Sequence, residues 1–485
     1  MAAIIAVLSK KDRNAKQTAI TMLKALSLKK TETFAIASPT TVKLGRKPES
    51  VRLSEIDSPT IVGIAMPETL ATHKPQLIEL KDFALAFSGK IYKADPKFSD
   101  PKAFPQKIQR NPEKAIKWLM TKTDSDFAFV LAKAEKLTVG RDALGTQLLY
   151  YGENAEWAAL ASQRKALWKI GINNETSFPP GNMATVTKKG FESKPLRKFA
   201  YPNPKPITMQ SAAKKLHTLL QRSIRNRISS LKETALAFSG GLDSTIIAAM
   251  AKKLGADVHL IHVSLKDQAE TEHAKKIAHE LDLPIHVQLF AEDDVEKTLP
   301  RVLWIIEEAN PVKTSIGVPI YWTAEKASQM NFKALLAGQG ADELFGGYEK
   351  HVQTYVQHGS EKAQKAIFKD IVGMYEANFE RDSKICNYHG IDLRLPFATY
   401  SIAKFALDLP IELKIERSPT TLRKLVLRQL AKNIGLPKLA TEKPKKAIQY
   451  TTGITKALKK LAKRNNLALN EYLDRTFQTI RDEKL

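Results

Sequence analysis

Two patterns of hydrophobic positions divide this chain of 485 residues. Up to about residue 195, short apolar segments such as 3–8, 61–65 and 127–132 are separated by turn residues. This spacing is typical of a sheet-rich region with a few helices, and we predict helices there over 16–28 and 112–121.

From residue 208 the pattern changes. Helical segments alternate with short apolar runs, which lie at 234–238, 258–263, 285–289 and 334–337. This alternation predicts a parallel sheet covered by helices. A proline-rich, basic stretch separates the two patterns, so we predict a first domain over 1–195, a linker over 196–208 and a second domain over 209–485. We also predict a helix opening at Ser418-Pro419 and a basic helical segment over 456–485.

The most informative chemistry follows the apolar run at 234–238. The sequence Ser239-Gly240-Gly241-Leu242-Asp243-Ser244 joins this predicted strand to a predicted helix. Such a loop presents backbone N–H groups at the positive end of a helix, and its glycines let the chain approach a phosphate closely. No lysine lies in the loop to reach a terminal phosphate. We therefore expect the loop to hold pyrophosphate as a unit, with reaction at the α-phosphate of a nucleotide.

A second glycine-rich, acid-bearing loop follows the run at 334–337. It reads Gly338-Gln339-Gly340-Ala341-Asp342-Glu343-Leu344-Phe345-Gly346-Gly347-Tyr348. Ligands of parallel sheets bind at the carboxyl ends of strands, so both loops could face one site. Asp243 and Asp342 could then share Mg²⁺. The alternative for Asp342 and Glu343 is that they only complement a helix dipole.

Two further segments carry candidate residues. Arg394, in Gly390-Ile391-Asp392-Leu393-Arg394, could anchor a substrate carboxylate or could form a structural salt bridge with Asp392 or Asp382. Lys445 belongs to a lysine cluster, and such a lysine could neutralise charge developing at an acyl phosphate. Its alternative is a solvated basic surface.

Composition narrows the class of protein. The 43% hydrophobic content is that of a globular protein, and no apolar run approaches the length of a membrane span. A single cysteine, Cys386, excludes internal disulfides, and we expect it to be a packed side chain in a cytoplasmic protein. The net charge of +25 comes from scattered basic residues without interleaved aromatic side chains, so we expect a solvated surface rather than a nucleic-acid site.

Together these motifs resemble the asparagine synthetase family. The loop at 239–244, the loop at 338–348, the segment 381–397 and the late Lys-rich segment occur in the order and spacing of that family. The resemblance implies a doubly wound α/β domain of the N-type ATP pyrophosphatase (PP-loop) kind. It also implies a two-step reaction, in which aspartate attacks ATP to give β-aspartyl-AMP and pyrophosphate, and ammonia then displaces AMP.

The resemblance also implies roles for individual residues. It places Ser239, Gly240, Gly241, Asp243 and Ser244 on pyrophosphate, Ala237, Val263, Ala337 and Gly338 around adenosine, Asp243 and Asp342 on Mg²⁺, and Lys445 at the adenylation step. Many members have Glu where this chain has Gln339. A glutamine side chain neither gives nor takes a proton near pH 7, although it can orient an amine by hydrogen bonds.

The first domain resembles the class II glutamine amidotransferase half of the family, which implies an Ntn-hydrolase-like α+β sandwich. The frame is present, as in Gly140-Arg141-Asp142-Ala143-Leu144-Gly145, but the chemistry differs. The nucleophilic cysteine of the family is replaced by Ala2. The His-Arg-Gly-Pro-Asp segment reads Lys29-Lys30-Thr31-Glu32-Thr33, and the Asn-Gly-Glu-Ile-Tyr-Asn segment reads Ser88-Gly89-Lys90-Ile91-Tyr92-Lys93. We therefore expect no glutaminase activity.

The leading hypothesis is an ATP-dependent amide ligase of the AMP- and pyrophosphate-forming asparagine synthase type. It would use aspartate, ATP, Mg²⁺ and ammonia that is free or supplied by a separate protein, with a homodimer left open. One alternative is another acyl-adenylate amide ligase similar to the β-lactam synthetases, which also lack the cysteine. A second is a non-catalytic nucleotide-binding relative, for which Gln339 is the best support.

Overall fold

The structure is a computed structural model that describes residues 2–29, 31–45, 56–67, 77–80, 83–92, 104–418, 422–442 and 448–484. The chain forms two compact units. The first comprises residues 1–198 with 386–390 and 482–485, and the second comprises 199–385 and 391–481. The division after residue 198 falls within the segment interpreted as a linker.

The first unit is built mainly from strands. They are β1 (Ala3–Ser9), β2 (Thr31–Ser38), β3 (Thr41–Gly45), β4 (Thr60–Pro67), β5 (Leu77–Leu80), β6 (Phe83–Lys90), β7 (Asp126–Lys133), β8 (Lys136–Arg141), β9 (Tyr150–Glu153), β10 (Trp157–Ala161), β11 (Thr176–Ser177), β12 (Asn182–Thr187) and β13 (Gly190–Pro195). The helices are α1 (Lys16–Ala25), α2 (Phe104–Arg110), α3 (Pro112–Lys122) and α4 (Arg164–Trp168). The helices predicted over 16–28 and 112–121 are thus present as α1 and α3.

These strands form two antiparallel sheets, with the orders β11-β9-β10-β1-β4-β2-β3 and β13-β12-β8-β7-β6-β5 among the described residues. In β1, Ile4, Ala6 and Leu8 face the core between the sheets, whereas Ile5 and Val7 face the side covered by α1. Successive side chains of a strand point to opposite faces, so a continuous apolar strand can be buried on both. The far face of the second sheet packs on α2 and α3. The first unit is therefore a helix–sheet–sheet–helix sandwich of the Ntn-like kind that the sequence predicted.

Helices and parallel strands alternate in the second unit. The strands are β14 (Glu233–Ala237), β15 (Asp257–Leu265), β16 (Ile285–Phe290), β17 (Ala334–Leu336) and β18 (Asp392–Arg394). From residue 199 on, the helices are α5 (Met209–Ile228), α6 (Leu242–Lys253), α7 (Ala269–Glu280), α8 (Glu292–Ile306), α9 (Pro311–Gln329), α10 (Ala341–Leu344), α11 (Glu349–Met374), α12 (Glu380–Tyr388), α13 (Tyr400–Leu407), α14 (Leu425–Asn433), α15 (Lys438–Thr441), α16 (Ile448–Thr451), α17 (Ile454–Arg464) and α18 (Leu469–Lys484). A π-helical stretch, Tyr375–Phe379, precedes α12.

The five strands pair in parallel in the order β16-β15-β14-β17-β18. The chain order runs outward in one direction from β14 and then resumes at β17 on its other side. A crevice opens where the order reverses in a doubly wound sheet, outside the carboxyl ends of the two strands. The doubly wound fold is confirmed, and its crevice lies where β14 and β17 end.

The basic segment predicted to be helical over 456–485 is helical as α17 and α18, which are separated by a turn at Asn465–Asn466, where Asn466 has a positive φ of 56°. One local prediction needs correction. Among the described residues near Ser418, the next helix begins only at Leu425, and Pro419 lies outside the described residues. In the part of the chain that the structure describes, no helix combines the length and apolar character needed to cross a membrane.

Candidate active site

The loop after β14 has the shape expected of a phosphate cradle. Gly240 has a φ of +68°, a conformation that glycine adopts without steric penalty, and Gly241 is the N-cap residue directly before α6. The Ser239 hydroxyl accepts a hydrogen bond from the Gly241 amide at 3.2 Å, and the Ser244 hydroxyl donates one to the Gly241 carbonyl at 3.1 Å. These bonds hold both hydroxyl groups beside the amides at the start of α6, where an anion is favoured.

Two histidines contact this loop, His273 from α7 and His262 from β15. The Gly240 carbonyl lies 3.2 Å from His273 Nε2, and the Phe238 carbonyl lies 2.9 Å from His262 Nδ1. Because a carbonyl oxygen only accepts, Nδ1 of His262 carries the proton. Burial lowers the pKa of His262, so its ring stays neutral and fixed.

The second loop comes against the first at a single glycine. A Cβ on Gly338 would lie 3.0 Å from the Cβ of Asp243, closer than carbon atoms normally approach. Gly340, with a φ of +93°, then turns the chain into α10, which carries Asp342 in its first turn. The sequence predicted that Asp243 and Asp342 would share a site, and the structure brings their carboxylates together.

A lysine that the sequence interpretation missed joins these two carboxylates. Lys424 Nζ lies 2.6 Å from Asp243 Oδ2 and 2.8 Å from Asp342 Oδ1, and its side chain is only 3% exposed. Burial by itself would lower the pKa of Lys424, but the two carboxylates outweigh burial and raise it. The ammonium is therefore charged and forms the centre of the site. No motif marks this residue among the 76 lysines and arginines, since only the fold brings it to the loops.

The carboxylates fit a divalent cation. Both are hard oxygen donors that converge on one cation position, and the side chain of each is about one-fifth exposed. Gly347 provides the room for this convergence, because a Cβ there would collide with Asp342 Oδ1 and with Cε of Lys424. The donor set suits Mg²⁺, and in this structure the shared position is taken by the Lys424 ammonium.

Glu343, the residue after Asp342, lies in a buried polar cluster. Glu343 accepts hydrogen bonds from the Tyr348 hydroxyl and, at 2.6 Å, from Asn378 Nδ2. Burial and the nearby Asp342 charge raise the pKa of Glu343, and burial together with Glu343 raises that of Tyr348. Glu343 is 3% exposed, so its role is to support the loop rather than to contact a ligand.

Gln339 faces a buried ion pair. Arg381 Nε donates to Asp382 Oδ1 at 2.6 Å, and the Gln339 amide also hydrogen-bonds the Asp382 carboxylate. Burial raises the pKa of Asp382, against the opposing effects of Arg381 and Gln339. A glutamine suits this position because it can donate to a carboxylate, whereas an ionised glutamate would repel it.

Arg394 adopts the salt-bridge arrangement that the sequence left open. Its Nε lies 2.8 Å from Asp392 Oδ2, its Nη1 donates to the Arg227 carbonyl, and its side chain is 2% exposed. The guanidinium is thus engaged within β18 and α5, away from solvent. Its expected role as the anchor of a substrate carboxylate is not supported, because buried donors committed to protein acceptors cannot reach a substrate.

The residues expected around adenosine lie near the ends of three adjacent strands. Ala237 ends β14, Ala337 and Gly338 follow β17, and Val263 lies near the end of β15. Ala337 and Val263 are buried, and Ala237 and Gly338 are partly exposed. This placement suits a flat aromatic base above the sheet edge. Lys445 lies outside the described residues.

In the first unit, the position of the missing nucleophile is buried. Ala2 is 1% exposed, and its carbonyl accepts a hydrogen bond from the Ser88 hydroxyl at 2.7 Å. A methyl side chain offers no nucleophile there. Ser88 itself is committed to this bond and lies 3.2 Å from Gln147 Oε1. Lys30 and Lys93, from the two altered segments, lie outside the described residues.

Comparison with known proteins adds a family to this geometry. The asparagine synthase family model matches residues 215–364 and 353–479. A Methanocaldococcus jannaschii protein assigned as a glutamine-hydrolysing asparagine synthetase is 30% identical over 401 residues, covering 72% of this chain and 74% of that protein. A glutamine-hydrolysing asparagine synthetase of Triphysaria versicolor is 24% identical over 398 residues, and the chain spans 65% of its length.

A solved structure of a Bacillus subtilis glutamine phosphoribosylpyrophosphate amidotransferase, with ADP and GMP, is similar at 17% identity and a TM-score of 0.35. The aligned residues cover 59% of this chain and 81% of the amidotransferase chain. The match to the asparagine synthase family model spans more than half of the chain, and the matched residues include both loops and Lys424. The chain therefore belongs to the asparagine synthase family, a membership that supports an ATP-dependent amide ligase.

Proposed function

We propose that this protein adenylates the side-chain carboxylate of aspartate with ATP and transfers the aspartyl group to ammonia, forming asparagine, AMP and pyrophosphate. The observation that carries the proposal is the convergence of Asp243 and Asp342 on one cation position beside an anion-binding loop. A nucleotide polyphosphate is the ligand class that needs both features at once.

In the first step, a carboxylate oxygen of aspartate attacks the α-phosphorus of ATP, and the bond to the bridging oxygen of pyrophosphate breaks. The amides at the start of α6 and the hydroxyls of Ser239 and Ser244 would hold the departing pyrophosphate. Asp243 and Asp342 would hold Mg²⁺, which supplies charge neutralisation for the phosphates. We propose that Lys445 neutralises the charge that develops at the acyl phosphate.

In the second step, the nitrogen of ammonia attacks the acyl carbon, AMP leaves with the bonding electrons, and the new amide loses a proton. Gln339 lies on the second loop, where its amide could orient the incoming amine. It cannot remove the proton, so water or the departing phosphate oxygen would accept it. The amide of Gln339 is already held by Asp382, which fixes its orientation.

We propose that ammonia reaches the site from solution or from another protein. The support is Ala2, a buried methyl at the position of the family's cysteine nucleophile. The glutamine-hydrolysing relatives carry that activity in their names, and this chain lacks the group that begins it.

The test measures pyrophosphate release and asparagine formation from aspartate, ATP, Mg²⁺ and ammonium. We expect both products in equal amounts with ammonium, and no asparagine when glutamine replaces it. Asp243→Asn should abolish both, while Asp282→Asn, which changes a carboxylate that is 96% exposed and pairs with Lys252, should leave them unchanged. Pyrophosphate release that does not depend on aspartate would refute aspartate as the acid substrate. Asparagine formation at the full rate with glutamine would refute the proposal that ammonia must come from solution or from another protein.

A second candidate keeps the adenylation step and changes the acid. Its support is Arg394, the residue expected to anchor the aspartate carboxylate, which is bonded instead to Asp392 and is 2% exposed. A panel of amino and dicarboxylic acids in the same pyrophosphate assay distinguishes the two, because only this candidate expects a better substrate than aspartate. Tight ATP binding with no turnover on any acid would instead indicate a non-catalytic relative.

A further inference from the structure

The cation position between Asp243 and Asp342 is filled by a side chain of the protein itself. Lys424 Nζ lies within 3 Å of both carboxylates, at 2.6 and 2.8 Å. Mg²⁺ binds carboxylate oxygens at about 2.0–2.1 Å and requires much the same oxygens. An ammonium and a divalent cation cannot occupy that space together, because they repel each other and compete for the same acceptors.

We infer that Lys424 is an internal counter-cation that competes with the divalent metal for the space between Asp243 and Asp342. It neutralises the carboxylates in the nucleotide-free enzyme and moves aside when the metal enters. This inference rests on the proposed function, since it takes the two aspartates as metal ligands. It extends that function to an order of binding, in which metal alone binds poorly and metal with nucleotide binds well.

The backbone around Lys424 shows a built position rather than a chance surface contact. Lys424 has φ 60° and ψ 47°, a left-handed conformation that is uncommon for a side chain of this size, and it directly precedes α14. The amide of Leu425 donates to the Lys414 carbonyl at 2.9 Å, which anchors the chain beside it. Gly347 leaves the space through which the Lys424 side chain reaches the carboxylates.

Charge gives the physical reason for the order of binding. With the ammonium in place, the two carboxylates and Lys424 carry one net negative charge, which attracts a divalent cation weakly. A nucleotide brings phosphates to the adjacent loop and offers the ammonium new anionic partners. The carboxylates are then released to the metal, so nucleotide and metal bind cooperatively.

The test is Mn²⁺ binding to the full chain without nucleotide, followed by the electron paramagnetic resonance signal of the free ion. We expect weak binding by the wild type and binding tightened about tenfold or more in Lys424→Gln and Lys424→Met, because both remove the repelling charge. Lys424→Arg, which keeps the charge, should stay weak. Adding Asp342→Asn to Lys424→Gln should remove the gain.

The matched control is Lys384→Gln. Lys384 is also a buried lysine, but it lies 2.8 Å from Glu307 and pairs with that carboxylate rather than with Asp243 or Asp342. Its replacement should leave Mn²⁺ affinity unchanged. Tight Mn²⁺ binding by the nucleotide-free wild type would overturn the inference whatever the variants do, as would Lys424→Gln binding no more tightly than wild type.

The proposed function fails separately from this inference. If wild type forms no pyrophosphate with any acid but Lys424→Gln binds Mn²⁺ more tightly, the proposed function is refuted and the competition between Lys424 and the metal is supported. If wild type makes asparagine but Lys424→Gln binds Mn²⁺ no more tightly, the proposed function is supported and the competition is refuted.

Discussion

Replacing Gly338 by alanine tests whether the close approach of the two loops sets the geometry of the site. The new Cβ would lie 3.0 Å from Asp243 Cβ and 3.6 Å from the Ser244 amide nitrogen. Carbon atoms in good contact are about 3.5–4.0 Å apart, so the loops must separate by about 0.5–1 Å. The atom in the way belongs to the first turn of α6, so no flexible side-chain end can rotate aside.

The expected magnitudes follow from that separation. Overpacking of this size destabilises a protein by about 1–3 kcal/mol. Because Lys424 is 2.6 Å from Asp243 and 2.8 Å from Asp342, a shift of this size breaks at least one of these bonds. A misplacement of about 1 Å at a reacting centre lowers turnover by about 100-fold. We therefore expect activity to fall far more than stability.

The assay combines aspartate-dependent pyrophosphate release with urea unfolding. Gly373→Ala is the matched control, because Gly373 lies within α11 and a Cβ there would meet nothing within 4 Å. It should raise the free energy of unfolding by about 0.5–1 kcal/mol and leave turnover unchanged. Gly338→Ala with wild-type turnover and an unchanged KM for ATP would refute the idea that loop contact sets the site.

Three further predictions concern buried charges. Burial lowers the pKa of His389 to about 3 against an ordinary value of 6.5, so the unfolded chain takes up the proton first as pH falls. The free energy of unfolding should therefore be highest above pH 6.5 and fall between pH 6.5 and 3. His389→Asn should flatten that slope in urea titrations, and an unchanged slope would contradict the prediction. Burial lowers the pKa of Lys414 to about 7 against an ordinary value of 10.5, so the wild-type free energy of unfolding should fall as pH drops from 10.5 toward 7. Lys414→Met should remove this loss and raise the free energy of unfolding at pH 7 by at least about 1 kcal/mol. A variant less stable than wild type would disprove the prediction. Arg141 is fully buried and donates hydrogen bonds to the Gln147, Gly145 and Phe178 carbonyls and to the Ser177 hydroxyl. Arg141→Lys loses the planar guanidinium that makes these bonds, so it should destabilise the first unit by about 3 kcal/mol in thermal unfolding. A loss of less than about 1 kcal/mol would show that these hydrogen bonds are dispensable.

Local patterns predicted the elements well where the apolar segments were short and bounded. The run at 234–238 appears as β14, and the run at 285–289 appears as β16, each within one residue of its predicted bounds. The basic segment predicted to be helical over 456–485 is helical as α17 and α18, but its pattern did not mark the turn at Asn465–Asn466 that divides them. Periodicity reports which face is apolar, but it does not report where the chain reverses.

For Arg394, sequence left two roles open because both need the same side chain. A guanidinium that anchors a ligand and one that binds Asp392 differ only in burial and in the available acceptors. The structure supplies both facts, since Arg394 is 2% exposed and bonded to Asp392.

The sequence by itself determined the chemistry of the two loops. The residues of Ser239-Gly240-Gly241-Leu242-Asp243-Ser244 lie next to one another in the chain, so their conformation and hydrogen bonds are local. Only the tertiary structure decided that Lys424 completes the site, 181 residues after Asp243. Its position depends on the strand order that brings β14 beside β17, on the room left at Gly347, and on the anchoring of the chain before α14. The strand order and Gly347 lie far from Lys424 in the sequence, so the residues around this lysine do not reveal its place in the site.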